Sequence, residues 1–158
     1  MARGARGSAI QVCAALLLVV AATLVPWATY RDVQTDATTT FRGGPLSVLL
    51  VAFGTASIVV SLLLLTRHAA SLYKLQLAIG SAALIDSVAL ALSKISLANH
   101  VAMARATASH TAYSFGGGVA IVASAAIGLT SIIELGNANV ASRNRNTRPG
   151  DSTALSRR

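Results

Sequence analysis

The chain has 158 residues, 54% of them hydrophobic and 11% charged, with a formal net charge of +8. Soluble domains carry about 25% charged residues, so this balance excludes an ordinary soluble globule and points to a membrane. One cysteine, Cys13, excludes an intrachain disulfide and a cysteine-based metal site, and is read as a small buried apolar residue.

Four apolar runs follow in chain order. Residues 10–27, IQVCAALLLVVAATLVPW, come after the basic segment MARGARGS. That pairing has the look of a secretory leader, but the run is long, ends at Pro26-Trp27, and no small-residue cleavage site follows. An uncleaved first helix is therefore expected. The segment ATYRDVQTDATTTFRGG is polar; its β-branched residues would support a short hairpin, but a plain loop is the expectation. Residues 46–65 form the second run. The connection TRHAASLY is short, which makes the second and third helices antiparallel neighbours.

Residues 75–95 form the third run and carry Gln76 and Asp86. SLANHVAMARATASHTA, after it, is helix-compatible and is expected to prolong the third helix beyond the membrane. Residues 113–135 form the fourth run; Gly116 to Gly118 near its start permit a kink or an unwound outer end. Each run has 18 to 23 residues, and about 20 helical residues cross a bilayer core with every backbone group bonded internally. The expectation is an all-α integral membrane bundle of four transmembrane helices over residues 1–136. A basic, disordered cytoplasmic tail over 137–158 is expected after it.

Charge placement sets the orientation. With the N-terminus inside, the inner segments hold Arg3, Arg6, Arg67, Lys74 and the tail arginines Arg143, Arg145, Arg148, Arg157 and Arg158. Arg31, Arg42, Lys94 and Arg105 remain outside. Nine against four places both termini in the cytoplasm. Trp27, Tyr30, Phe41, Tyr113 and Phe115 then gather at the outer boundary, with Tyr73 at the inner one. The basic tail reads as a contact for anionic lipid or a cytoplasmic partner, and no nucleic-acid recognition motif accompanies the charge.

Two features carry the functional reading. Gly116, Ala120, Ser124 and Gly128 recur every four residues, a stripe of small residues that lets helices approach closely, within the bundle or against a partner. Asp86 stands near the middle of the third run, where an aspartate costs about 2.5–3.5 kcal/mol on insertion scales. Thr55, Ser57 and Ser124 are taken to lie at its depth and to offer hydroxyl partners. Lys74 and Lys94 are too far along the helix for a salt bridge. Three roles stay open: a neutral carboxyl bonding helices together, a contact for a cation on a partner protein, or a proton- or cation-handling group on a watery path.

The remaining polar residues are weaker candidates. Glu134 falls at the inner boundary, within reach of Arg67 or Arg143. His100 and His110 are ten apart and fit no common metal signature, although either would reach Asp32 or Asp36 across the outer loops. No phosphate-binding glycine loop, H-E-x-x-H helix or G-x-S-x-G elbow is present, so neither catalysis, a metal nor a cofactor is expected.

The Ala-rich spans, the PW pair closing the first, the GG before the second and the Arg-rich tail resemble small four-pass membrane proteins of unassigned role in high-GC actinobacteria and their phages. That resemblance implies a multi-pass protein of the cell membrane and carries no functional residues with it. The expected role is a non-enzymatic accessory or interaction subunit docking through helices three and four. The alternative is a self-assembling channel, holin-like pore or proton-linked transporter with Asp86 toward the lumen. A membrane-protein partner or a homo-oligomer is implied either way.

Overall fold

The computed structural model describes residues 2–32, 35–42, 47–67, 69–104, 109–113 and 115–146. Helix α1, Ala2–Thr23, stops where Pro26 disfavours helical geometry at the residue before it. The carbonyl of Ala21, left without a helical donor, accepts from the indole Nε1 of buried Trp27 at 2.8 Å. From there the chain turns into a small sheet. Strand β1, Ala28–Asp32, pairs antiparallel with β2, Thr38–Phe41, and on its other edge with β3, Ser109–Tyr113. The first loop is thus the hairpin that its β-branched residues allow, and not a plain loop.

Alternation along β1 turns Ala28 and Tyr30 onto the helices, 2% and 1% exposed, while Arg31 faces outward. Ala28 lies opposite both Phe41 and Tyr113 in register. The sheet ties the connection after α1 to the connection before α4. It gathers the aromatic residues at one end and leaves the start of α1 and the end of α4 at the other.

Helices α2, Val48–Thr66, α3, Ala70–Ala104, and α4, Phe115–Asn146, complete the all-α class. Helix α1 packs against α2 and α4, and α3 packs against the same two, which closes a ring. The centre of the ring is filled by Ala15, Leu18, Leu50, Ala83, Ala120 and Ile127. Val60, Leu64 and Tyr73 form a smaller cluster toward the end away from the sheet. Leu16, Leu62, Ile85, Leu92, Val122 and Leu129 face outward and exposed, so the helices are apolar on both sides. That pattern suits lipid and not water.

Three helices are long and apolar enough to cross a membrane: Val48–Thr66, Ala70–Leu97 within α3, and Phe115–Ala141 within α4. The apolar part of α1, Gly7–Thr23, is shorter. Helix α3 does run past its apolar run, as far as Ala104. Two expectations need correction. The triple glycine does not unwind α4; the Gly116 amide donates to the Pro26 carbonyl at 3.0 Å and the helix holds through it. Nor does the chain become disordered at 137, because α4 continues to Asn146. Its continuation bonds carbonyls that would otherwise be left open at the membrane boundary. Arg143 and Arg145 thus belong to α4, whereas Arg148, Arg157 and Arg158 lie outside the described residues.

Candidate functional site

Polar groups inside the ring fall into two levels. On the level farther from the sheet, two buried glutamines hold two pairs of helices. Gln11 on α1 donates from Nε2 to Ser131 Oγ on α4 at 3.1 Å. Gln76 on α3 donates from Nε2 to Ser57 Oγ and, at 3.2 Å, to Ser61 Oγ on α2. Gly80, one turn nearer the sheet than Gln76, meets α4 at Gly128, so Gln76 and Ser131 are level and the two amides form one layer. Each of these five side chains is at most 1% exposed, and the Oε1 of Gln76 has no hydrogen-bond partner among the described residues. An unbonded amide oxygen in an apolar interior costs about 1–3 kcal/mol, which makes this layer a point of strain as well as cohesion.

The level nearer the sheet contains Ser87, whose hydroxyl lies 3.3 Å from that of Ser124, and Asp86 beside it. Asp86 is half-buried at the rim of the packed face, next to exposed Ala89 and Ser93. Its Oδ2 is screened from solvent and has no hydrogen-bond partner among the described residues. The hydroxyls expected to serve it are engaged elsewhere. Ser124 bonds Ser87 and the Ala120 carbonyl, and exposed Thr55 bonds the Val51 carbonyl of its own helix.

Ser57 does not lie at the depth of Asp86. Its partner is Gln76, ten residues before Asp86, which puts Ser57 about 15 Å farther from the sheet than the carboxyl. The α2–α3 register decides this, and equal distance from the ends of two apolar runs does not reveal it. Only Ser124 of the expected set shares Asp86's level.

The small-residue stripe of α4 is occupied within the chain. Ala120 and Ser124 are fully buried. A Cβ at Gly116 would come within 2.6 Å of the Pro26 carbonyl, and one at Gly80 within 2.8 Å of the Gly128 amide nitrogen. Gly54 marks a similar crossing of α2 over α1, against Val19 and the Ala15 carbonyl. Gly80 and Gly54 are the partners that a search for stripes on one helix overlooks. Gln11, Ser61, Ser87 and Ser131 were also passed over. The signal for them is a glutamine inside an apolar run, with serines at helical spacing on a neighbour.

Other expectations resolve differently. Cys13 is exposed and not buried, since it faces a gap between α1 and α4. Asp36 pairs with Arg31 at 2.6 Å on the exposed hairpin, an ion pair worth little to stability. His100 bonds the Ser96 carbonyl one turn back. Glu134 lies against Gly7 of α1. Among the described residues no three of His, Cys, Asp and Glu come together as metal ligands would.

No family model matches the chain, and no curated protein or solved structure is significantly similar to it.

Proposed function

We propose that the chain is a non-enzymatic interaction subunit of the cell membrane, crossing it four times with both termini in the cytoplasm. The single observation that carries this reading is Asp86, a carboxyl at membrane depth whose Oδ2 lacks a partner among the described residues. A carboxyl in apolar surroundings is stabilised only by donors, and the part of the Asp86 carboxyl left exposed at the rim is where a neighbouring protein presents an Arg, Lys or hydroxyl beside α3. Docking uses the outward faces of α3 and α4, where Ile85, Leu92, Leu129 and Ile133 are exposed. Helix α1 is the fourth span, because it is packed between α2 and α4 along its apolar part.

The runner-up is an oligomeric pore or proton-linked transporter, with the same carboxyl facing a lumen between copies. The ring of a single chain is filled by Leu18, Leu50 and Ile127, so a lumen would have to form between chains.

Mild-detergent extraction, native mass determination and identification of bound protein test the proposal. A stoichiometric partner is expected on the unaltered chain, lost in Asp86→Leu, with the monomer fold retained. A homo-oligomer without a foreign partner would overturn it and bring the pore forward. Ion flux in liposomes, with Asp86→Asn as the control, would then be the deciding assay.

A further inference from the structure

One outward face of α3 differs from those of its companions. Helices α1, α2 and α4 turn Leu16, Leu17, Leu62, Leu63, Val122 and Leu129 to the outside. On α3 the positions at steps of three and four, Ala78, Ala82, Asp86, Ala89, Ser93 and Ser96, are exposed or half-buried, and no side chain among them is larger than aspartate. At about 100° per residue they share an arc of about 80°, and they run about 27 Å along the helix, most of a bilayer core. All lie within the apolar span Ala70–Leu97. His100, one turn beyond and bonded to the Ser96 carbonyl at 2.7 Å, follows where that span ends. Ile85 and Leu92, 72% and 62% exposed, stand along one margin of the line.

A seam of small and hydroxyl side chains allows close helix approach, and its hydroxyls can bond across the contact. Two observations say what covers it. Asp86 sits at its middle, where lipid has no donor for a carboxyl whose Oδ2 finds none among the described residues. A second copy in the same orientation would bring its own Asp86 to that level. The lysines of α3, Lys74 and Lys94, are about 18 and 12 Å away along the helix. Charge complementarity therefore calls for a different chain.

We infer that this seam seats one transmembrane helix of a partner protein, with an Arg or Lys at the level of Asp86 and Gly, Ala or Ser one turn to either side. The inference rests on the interaction reading and narrows it. The contact is a single helix laid lengthwise on α3, and the outward face of α4 stays with lipid. Steps of three and four residues set a shallow crossing of about 20°. Ile85 and Leu92 then cover the partner's flank.

A designed partner tests this in liposomes that hold the full chain, labelled with a donor fluorophore on Cys13, its one thiol. The probe is a synthetic transmembrane peptide of leucine and valine, with arginine at its centre, glycine four residues to either side and an acceptor fluorophore. Saturable energy transfer at one peptide per chain is expected. Leucine in place of that arginine, or Asp86→Leu in the chain, should weaken binding about three- to eighteen-fold, the range of interhelical hydrogen bonds in membranes. Ala89→Leu, at an exposed position that the fold does not use, should weaken binding of both peptides. Val122→Phe should weaken neither.

Equal binding of the arginine and leucine peptides, or a loss with Val122→Phe and not with Ala89→Leu, would overturn the inference. Photo-cross-linking in native membranes supplies the second reading. Benzoylphenylalanine at position 82 or 93 should yield an adduct of one and the same mass, and at position 122 none. An adduct of two copies of this chain from position 93 would overturn the inference as well. A partner retained in the native mass measurement but cross-linked from position 122 and not from 93 defeats the seam alone. No retained partner defeats the interaction reading from which the seam starts.

Discussion

At the scale of single residues, the interior is decided by a few polar side chains among many small apolar ones. Gln76 bridges Ser57 and Ser61 across the α2–α3 contact, so Gln76→Ala removes the donor that both serines share. Interhelical hydrogen bonds in membranes contribute about 0.6 kcal/mol on average and up to about 1.7. A loss within that range is expected in reversible unfolding from mixed micelles, offset in part because the unbonded Oε1 is removed as well. Trp27→Phe removes the donor to Ala21 and also shrinks a buried ring, so the expected loss in the same assay is the hydrogen bond's about 1 kcal/mol plus a cavity cost. Asp86→Leu should behave oppositely. Its carboxyl gains no bond at Oδ2 within the chain, so the variant is expected to unfold no more easily than the parent while losing its partner. A sharp fall in monomer stability would mean that Asp86 bonds the chain's own helices.

At the scale of helices, glycines separate into those at crossings and those in open space. Gly80→Ala forces backbone apart, because the new Cβ would come within 2.8 Å of the Gly128 main chain, with the Ile127 side chain at 3.1 Å. Overpacking of this kind costs about 1–3 kcal/mol. Gly136→Ala meets nothing within 4 Å and gains helix propensity, up to about 1 kcal/mol. Opposite shifts of the unfolding midpoint in the two variants are the expected result; equal shifts would refute the assigned α3–α4 crossing. The apolar runs and the extension of α3 were legible in the sequence because both depend on local composition. The depth of Ser57 and the third strand were not legible. One depends on how far α2 slides along α3, the other on residues 109–113 meeting a strand about eighty positions earlier in the chain. Neither quantity is encoded in a window of neighbouring residues. Cys13 was misread for a related reason: on helices apolar all round, residue type does not distinguish the face in the ring from the face toward lipid.

At the scale of the whole molecule, the sheet fixes a relation that hydropathy leaves open. Since β1 follows α1, β3 precedes α4, and the two strands pair, both loops belong to one end of the ring. The first residue of α1 and the last of α4 therefore share the other end. If α1 crosses the membrane with its companions, the two termini face one compartment, and the excess of arginine on that side makes it the cytoplasm. The prediction can be read by chemical labelling of intact cells once Cys13→Ala has removed the native thiol. Thr39→Cys, on exposed β2, should react with a membrane-impermeant maleimide added outside. Ser152→Cys should react only after the membrane is opened. If both sites label from outside, the charge argument fails and the ring is inverted or not embedded. If the two termini label from opposite sides, tested with Ala2→Cys as a third position, α1 does not cross with the others. In that case α1, with its shorter apolar part, would lie against the other helices without crossing.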